Sequence, residues 1–359
     1  MKALITAGGK GTRLRPITNT HNKHLIPIAN KPMIAYALEA VAEAGVREVG
    51  IVINPDTGEE IRQALGGGES WGVKITYVMQ DAPRGLAHVV RVAEAFLGGE
   101  PFIFYLGDNV IVGGIAQFVD EFRRAGDQCR LVLARVRDPE RFGVPELRDG
   151  RIVGVEEKPQ QPKSDFAVTG IYLYDRHIFE AVNAIQPSAR GELEISDAHQ
   201  YLIDHGHQVG FSEITGWWKD TGKPEDLLEA NRLVLDKIRE QPEAFRPGQV
   251  DGQSDIAGKV ILEPGAIVIG SQIRGPAIIG ARTLIENSYI GPFTAIGPDC
   301  VIRNSEVEYS IVLEKCRIID TDIRIERSLL GREAEIVRCK TKPITQKFIV
   351  GDQSRIELT

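Results

Sequence analysis

The sequence predicts a two-part chain: an α/β domain with a mostly parallel sheet, followed by a parallel β-helix. Three observations carry this expectation. Short aliphatic runs alternate with helix-patterned segments over residues 1 to about 125. A stretch rich in Pro, Gly, Gln and Asp, "EQPEAFRPGQVDGQSDIAGK" at residues 240–259, interrupts that pattern. Beyond it, aliphatic residues recur every 17 positions.

In chain order, residues 3–6 read as a short buried strand. Residues 32–44 have the apolar period of a helix, with Pro32 suited to its first turn and Gly45 to its stop. Residues 49–53 read as strand, 57–65 as helix, 74–78 as strand, 85–96 as helix, 102–106 as strand and 115–125 as helix. The alternation implies a Rossmann-like sheet covered by helices, whose ligands would sit beyond the carboxyl ends of its strands. The glycine loop after Thr6 and "LGDN" after Tyr105 both fall there. From about residue 130 to 220 the pattern is mixed, with strands expected at 131–136, 152–156 and 168–174 and helices at 176–184 and 194–205. A further helix is expected at 224–239, its apolar face of Leu227, Leu228, Asn231, Leu235 and Ile238 being packing surface.

The repeat has three columns. Leu262, Ile279, Ile296, Leu313 and Leu330 are 17 apart, as are Val268, Ile285, Ile302, Ile319 and Ile336. Ile273, Ile290 and Val307 form a third, shorter column. Steps of 6, 5 and 6 residues describe three short sides per coil, each turning one aliphatic inward. The pattern resembles the left-handed hexapeptide-repeat β-helix, one side shortened by a residue. The expected domains are therefore 1–240, a linker at 241–259 and a repeat domain at 260–359. All seven histidines, from His21 to His207, precede the linker. The repeat domain thus lacks the general base of histidine-dependent repeat acyltransferases and is expected to be noncatalytic.

A chain of 359 residues suggests two or three domains and a large core. The net charge of −7 argues against a nucleic-acid or membrane-surface partner, while leaving local cations free to bind a small anion. Cys129, Cys300, Cys316 and Cys339 show no C-x-x-C spacing, which suits free thiols in a reducing compartment. No apolar run approaches a membrane span, and the first residues do not read as a signal sequence. A cytoplasmic location is expected.

The stretch "LITAGGKGTRLRP", residues 4–16, ends a strand in a loop with almost no side chains and then supplies cations. A dinucleotide fingerprint fails because Leu14 stands where the third glycine belongs, and a P-loop fails because Thr12 and Arg13 follow Gly11. What remains is general: glycines let backbone N–H groups converge on an anion, and Arg13, Arg15 and Lys23 could neutralise phosphate. A tight turn with solvated cations remains the alternative.

Seven segments then align: "AGGKGTRLRPIT" (7–18), "NKHLIPIANKPMI" (22–34), "QDAPRGLAHVV" (80–90), "YLGDN" (105–109), "EEKP" (156–159), "VTGIYLYD" (168–175) and "WKDTG" (218–222). In this order they resemble the sugar-1-phosphate nucleotidylyltransferases, and most closely the thymidylyl-transferring branch in its long form with an appended β-helix. The resemblance implies Mg²⁺-dependent transfer of dTMP from dTTP to glucose 1-phosphate, feeding deoxysugar synthesis, by a homo-oligomer. It implies Asp108 and Asp220 as Mg²⁺ ligands, although each taken alone fits an Asx-turn or cap. It puts Arg13 on the triphosphate and Lys23 on the leaving pyrophosphate, with donors from Gly8, Gly11 and Thr12. Lys158 would hold the sugar phosphate and Glu157 the sugar hydroxyls. Gly143 and Val168 would offer backbone to the sugar, and Tyr172 its hydroxyl. Gln80 can donate and accept, so it fits the O4 and N3–H edge of thymine or uracil, and Gly85 would let the base approach the backbone. His24 and Phe142 depart from the short form, which commonly has Gln near the deoxyribose and Tyr beside the sugar.

Alternative readings are the same chemistry with UTP or with GTP and mannose 1-phosphate, a noncatalytic sugar-nucleotide-binding subunit, and a bifunctional acetyltransferase. The pyrimidine fit of Gln80 argues against GTP and leaves UTP open, the intact charged residues argue against the noncatalytic subunit, and the histidine-free repeat domain argues against the acetyltransferase.

Overall fold

The aliphatic run Lys2–Thr6 forms the strand on which the first half of the chain is built. Its side chains alternate between faces. Ala3 and Ile5 pack with Ile34, Leu38 and Val41 on one face, while Leu4 packs with Phe102, Phe104 and Leu97 on the other. Both faces are covered, so the strand reads as a continuous apolar run. The computed structural model describes residues 1–239, 248–338, 342 and 346–358. Packing divides the chain into a first unit of residues 1–10, 21–25 and 33–220 and a second of 11–20, 26–32 and 221–359.

In the first unit seven strands run in the order Val209–Glu213, Cys129–Arg135, Phe166–Tyr174, Phe102–Leu106, Lys2–Thr6, Glu48–Ile53, Lys74–Met79. All neighbours are parallel except Phe166–Tyr174, which is antiparallel to both of its partners. The mostly parallel sheet is therefore as expected. Two antiparallel pairs were not legible beforehand: Gly143–Arg148 with Arg151–Glu157, and Asn109–Val112 with Trp217–Asp220. The helix expected at 85–96 is split at Ala93 into Leu86–Val92 and Glu94–Leu97.

Pro32 does not open a helix. It pairs with Pro27 in a two-strand hairpin of the second unit, and the helix of the first unit begins at Met33. The hairpin turn places both Ala29 (φ 48°) and Asn30 (φ 59°) in the left-handed region, the geometry of the turn that suits strand twist.

The repeat domain is a left-handed parallel β-helix whose sides stack into sheets of six, five and five strands. The structure corrects two members of the columns. Ile296 pairs with Val312 and Val312 with Leu330, while Ile302 pairs with Ile318 and Ile318 with Ile336. Val312 and Ile318 thus point inward, not Leu313 and Ile319. One side is shortened to Val307–Val312, and the side from Ile318 to Ile325 is lengthened around an exposed Ile323. The expected linker is corrected too. Gln249–Val250 and Asp255–Ala257 already pair with the next coil, and residues 240–247 lie outside the described residues. At the other end the last strand is Glu335–Val337, and the described residues beyond it carry none. Cys300 and Cys316 are free and buried inside the coils and Cys129 inside the first unit, while Cys339 lies outside the described residues.

The helix Pro224–Lys237 belongs to the second unit, not to a domain ending at 240. Its face packs as expected, but onto the solenoid: Leu235 contacts Ile278 and Ala295. Asn231, fully buried, accepts from the Ala29 N–H at 2.9 Å and donates to the Phe293 carbonyl at 3.0 Å. One amide thus joins hairpin, helix and coil, with the polar atoms satisfied.

Candidate active site

The carboxyl end of Lys2–Thr6 runs into Ala7, Gly8 and Gly9. Gly9 lies under the Lys23 side chain: a Cβ there would stand 2.8 Å from Lys23 Cε and would displace the end of that side chain. Gly107 is required by the backbone, since its Cβ would stand 2.2 Å from the Thr6 carbonyl. These two positions let the strand ends of Thr6 and Leu106 close on one side chain, Lys23, whose ammonium is paired with Asp108 Oδ2.

Asp108 is held from several sides. Asn109 Nδ2 donates to Asp108 Oδ1 at 3.1 Å, and Trp218 Nε1 donates to Asn109 Oδ1 at 2.7 Å. Burial disfavours its carboxylate, but the Lys23 ammonium, the His24 ring and the hydrogen bonds from Lys23 and Asn109 outweigh burial. The carboxyl stays well below the usual carboxylate range and is ionised at neutral pH. Burial, and then the Lys23 charge, push His24 down to about 3. Its ring is neutral and donates Nδ1–H to Asn22 Oδ1 at 2.7 Å. Asn22 in turn donates to the Ala7 carbonyl and to Thr57. With 1% exposure, His24 is held by Asn22 in the interior and offers almost no surface to a deoxyribose.

Asp220 reaches Asp108 through strand register. In the pair Trp217–Asp220 with Asn109–Val112, Asp220 stands opposite Asn109, the residue after Asp108. Antiparallel partners lie about 4.5–5.5 Å apart at Cα. The two residues, 112 positions apart in sequence, are thereby brought within one residue of a paired position, and both carboxylates act on the Tyr172 phenol. No third His, Cys, Asp or Glu joins them in a metal-holding group among the described residues. Two carboxylates and no nitrogen or sulfur donor fit a hard cation that completes its shell with phosphate oxygens and water, as Mg²⁺ does.

A second cluster lies at the end of Arg151–Glu157. Glu157 accepts from Ser196 Oγ at 2.7 Å, with Lys158 Nζ at 3.4 Å and Arg190 Nη2 at 3.8 Å. Gly143 stands opposite Glu157, and a Cβ there would meet Ser196 Oγ at 2.8 Å. Lys158 (φ 46°) donates its N–H to the Phe142 carbonyl, and the Phe142 ring meets Trp218 edge-on at 5.6 Å. Val168 and Tyr172 lie on the buried central strand. Burial, and then the fields of Glu157, Asp108 and Asp220 among others, raise the Tyr172 phenol, so it keeps its proton. That set of fields ties the two clusters together around Tyr172.

The base-reading candidates are in the same unit. Gln80 follows the strand Lys74–Met79, and its Oε1 faces Gly8. Gly85 (φ 98°) is glycine for a reason other than the one expected: a Cβ there would lie 2.4 Å from the Leu193 carbonyl. The remaining three residues, Gly11, Thr12 and Arg13, are in the second unit. There Gly11 (φ 61°) accepts from Thr18 Oγ1, and the Arg13 guanidinium covers Gly222, whose Cβ would be 2.9 Å from it. Sequence reasoning did not single out Gly9, Asn22, Ser196, Arg190 or His88. A signal for Ser196 and Arg190 is present in the polar segment "PSARGELEISD" at residues 187–197, which brings both to Glu157.

The nucleotidyl transferase family profile matches residues 2–237. The chain is 50% identical to a glucose-1-phosphate thymidylyltransferase of Streptomyces griseus, with all of both chains covered. It is 48% identical to one of Streptomyces antibioticus, covering all of this chain and 99% of that one. A crystal structure from Bacillus anthracis, described as a glucose-1-phosphate thymidylyltransferase in complex with sucrose, superposes with a TM-score of 0.63 at 38% identity, over 67% of this chain and 98% of that one.

Proposed function

Because the chain belongs to the nucleotidyl transferase family and, within it, to the glucose-1-phosphate thymidylyltransferases, we propose that it transfers the dTMP group of dTTP to α-D-glucose 1-phosphate, giving dTDP-glucose and pyrophosphate. A phosphate oxygen of the sugar phosphate bonds to the α-phosphorus of dTTP, and the bond from that phosphorus to the β-phosphate oxygen breaks. The observation that carries the reading is the register that sets Asp220 beside Asp108 and Lys23.

Both reactants are anions, so the barrier is first one of charge and alignment. Asp108 and Asp220 would hold Mg²⁺, which when bound supplies compensating positive charge and a template for phosphate oxygens. Arg13 meets the triphosphate, with Gly8, Gly11 and Thr12 donating to its oxygens. Lys23 carries charge onto the leaving pyrophosphate. Lys158 fixes the sugar phosphate for in-line attack, and Glu157, oriented by Ser196, accepts from sugar hydroxyls. Gly143 and Val168 offer backbone to the sugar, Tyr172 a protonated hydroxyl, and Gln80 and Gly85 contact the base.

No helix among the described residues is long and apolar enough to cross a membrane. We place the enzyme in the cytoplasm, as a homo-oligomer without nucleic-acid or membrane partners. The test is a matrix of dTTP, UTP and GTP against glucose 1-phosphate and mannose 1-phosphate, read as pyrophosphate release. The expected outcome is the highest kcat/KM for dTTP with glucose 1-phosphate. Preference for UTP or GTP overturns the nucleotide assignment, and binding without release overturns catalysis.

A further inference from the structure

Gln80 is 6% exposed, and its side chain has a fixed polarity. Its amide nitrogen lies 3.1 Å from His88 Nδ1 and 3.5 Å from the Gly85 carbonyl oxygen. A carbonyl oxygen can only accept, so the amide atom on this side is nitrogen. Its hydrogens are then turned to Gly85 and to His88, whose Nδ1 is the bare, accepting nitrogen. The ring proton sits on Nε2, which is 3.9 Å from Asp81 Oδ1. Gln80 Oε1 faces the other way, 3.6 Å from where a Cβ on Gly8 would stand. That glycine loop is where the nucleotide is proposed to lie.

We propose that His88 is a positioning residue that makes Gln80 an acceptor toward the nucleotide base. The site then favours a base with an N–H at that edge, as thymine has at N3, over one with a bare nitrogen there, as cytosine has. This rests on the reading that Gln80 meets the base, and it narrows that reading: the amide is committed to one polarity and does not serve as donor and acceptor alike.

The device titrates. The charged groups that face His88 are Asp81, Arg84 and Arg91. Burial lowers the ring below its ordinary value, Asp81 opposes this, and Arg84 and Arg91 add to it. The neutral, accepting ring therefore prevails at neutral pH. Protonation puts a hydrogen on Nδ1, which can then no longer accept from the Gln80 amide; only the more distant Gly85 carbonyl is left to hold the amide's polarity, and the orientation with its nitrogen toward the base gains population. Acid should thus move selectivity from thymine toward cytosine.

The experiment measures kcat and KM for dTTP and for dCTP, with glucose 1-phosphate, in the wild type, His88→Phe and His88→Gln, at about pH 7.5 and about pH 5.5. Gln at position 88 keeps an oxygen that can accept from Gln80. We expect His88→Phe to raise KM for dTTP about 10-fold with kcat within about threefold, and to lower the dTTP:dCTP ratio of kcat/KM about 10-fold. His88→Gln should restore the ratio and hold it at both pH values, whereas the wild-type ratio should fall in acid. A folded His88→Phe variant with the wild-type ratio overturns the proposal. If that variant does not fold, His88→Gln decides: a pH profile of the ratio equal to wild type overturns it, a flat one supports it. A wild type that does not prefer dTTP would overturn the thymidylyl reading itself, and the proposal with it.

Discussion

The two units bury polar groups in opposite ways. In the solenoid the buried serine hydroxyls of one side are periodic and locally satisfied, up to Thr321, whose buried hydroxyl ends the ladder without a partner among the described residues. Ser271, Ser288 and Ser305 each donate to the carbonyl two residues back, and each accepts the N–H of a residue in the next coil, Ser288, Ser305 and Thr321 respectively. No charge is involved, and each coil repeats the previous one. Around Asp108 the polar groups converge instead. Asn22, Lys23, His24, Asn109 and Trp218 come from three stretches of chain and meet only through side chains. The difference teaches where to look for chemistry: polar burial that repeats completes a scaffold, and polar burial that converges on charge stores electrostatic potential for a ligand.

The largest expected effect is on the convergent side. Asp108→Asn should lower kcat by about 10³-fold, about 4 kcal/mol of transition-state stabilisation, while circular dichroism and Tm report an intact fold. Near-normal turnover with Mg²⁺ would dissolve the contrast. Next comes the corrected coil: Ile318→Ala should cost about 3 kcal/mol and Ile319→Ala less than about 0.5 kcal/mol by denaturant unfolding. The reverse order would restore the strict 17-residue register.

Acid should separate the units by a smaller amount. His24 and His199 are both lowered from 6.5 to about 3, in each case chiefly by burial. Their folded values lie below the unfolded value, so their contribution is complete above about pH 6.5 and is lost as pH falls toward 3. At about pH 5 each should withdraw about 2 kcal/mol. Every histidine of the chain lies in the first unit, so calorimetry between about pH 7 and 5 should lower only that unit's transition. A parallel fall of both would contradict this. The smallest effect belongs to the ladder: Ser288→Ala should cost about 1 kcal/mol in the solenoid and leave turnover unchanged. A change in turnover would show that the serines reach beyond scaffolding.

Legibility differed between the regions for physical reasons. "GDN" and "KDTG" identified Asp108 and Asp220, but their proximity depends on pairing between distant strands, which no local pattern encodes. Lys23 was legible as a cation, but its folding back over Gly9 was not, because that contact exists only in the tertiary structure. His88 was passed over because its meaning lies in one hydrogen bond to Gln80. In the solenoid, periodicity gave the fold yet misread one coil. Adjacent aliphatics at Val312–Leu313 and Ile318–Ile319 satisfy two registers, and only strand pairing distinguishes them. The helix Pro224–Lys237 was legible as a helix, but not the surface that Leu235 covers.

Each unit is assembled from three separate stretches of chain, so the backbone passes between them at residues 10–11, 20–21, 25–26, 32–33 and 220–221. No single cut releases either one whole. A chimaera joined once near residue 240 would graft a foreign solenoid onto the parental Asn231 and Ala29, and the amide that links them to Phe293 would face a coil it did not evolve with. Successful exchange of the repeat domain therefore requires residues 11–20, residues 26–32 and the helix after Asp220 to travel with it, while residues 21–25, with Lys23, stay with the first unit.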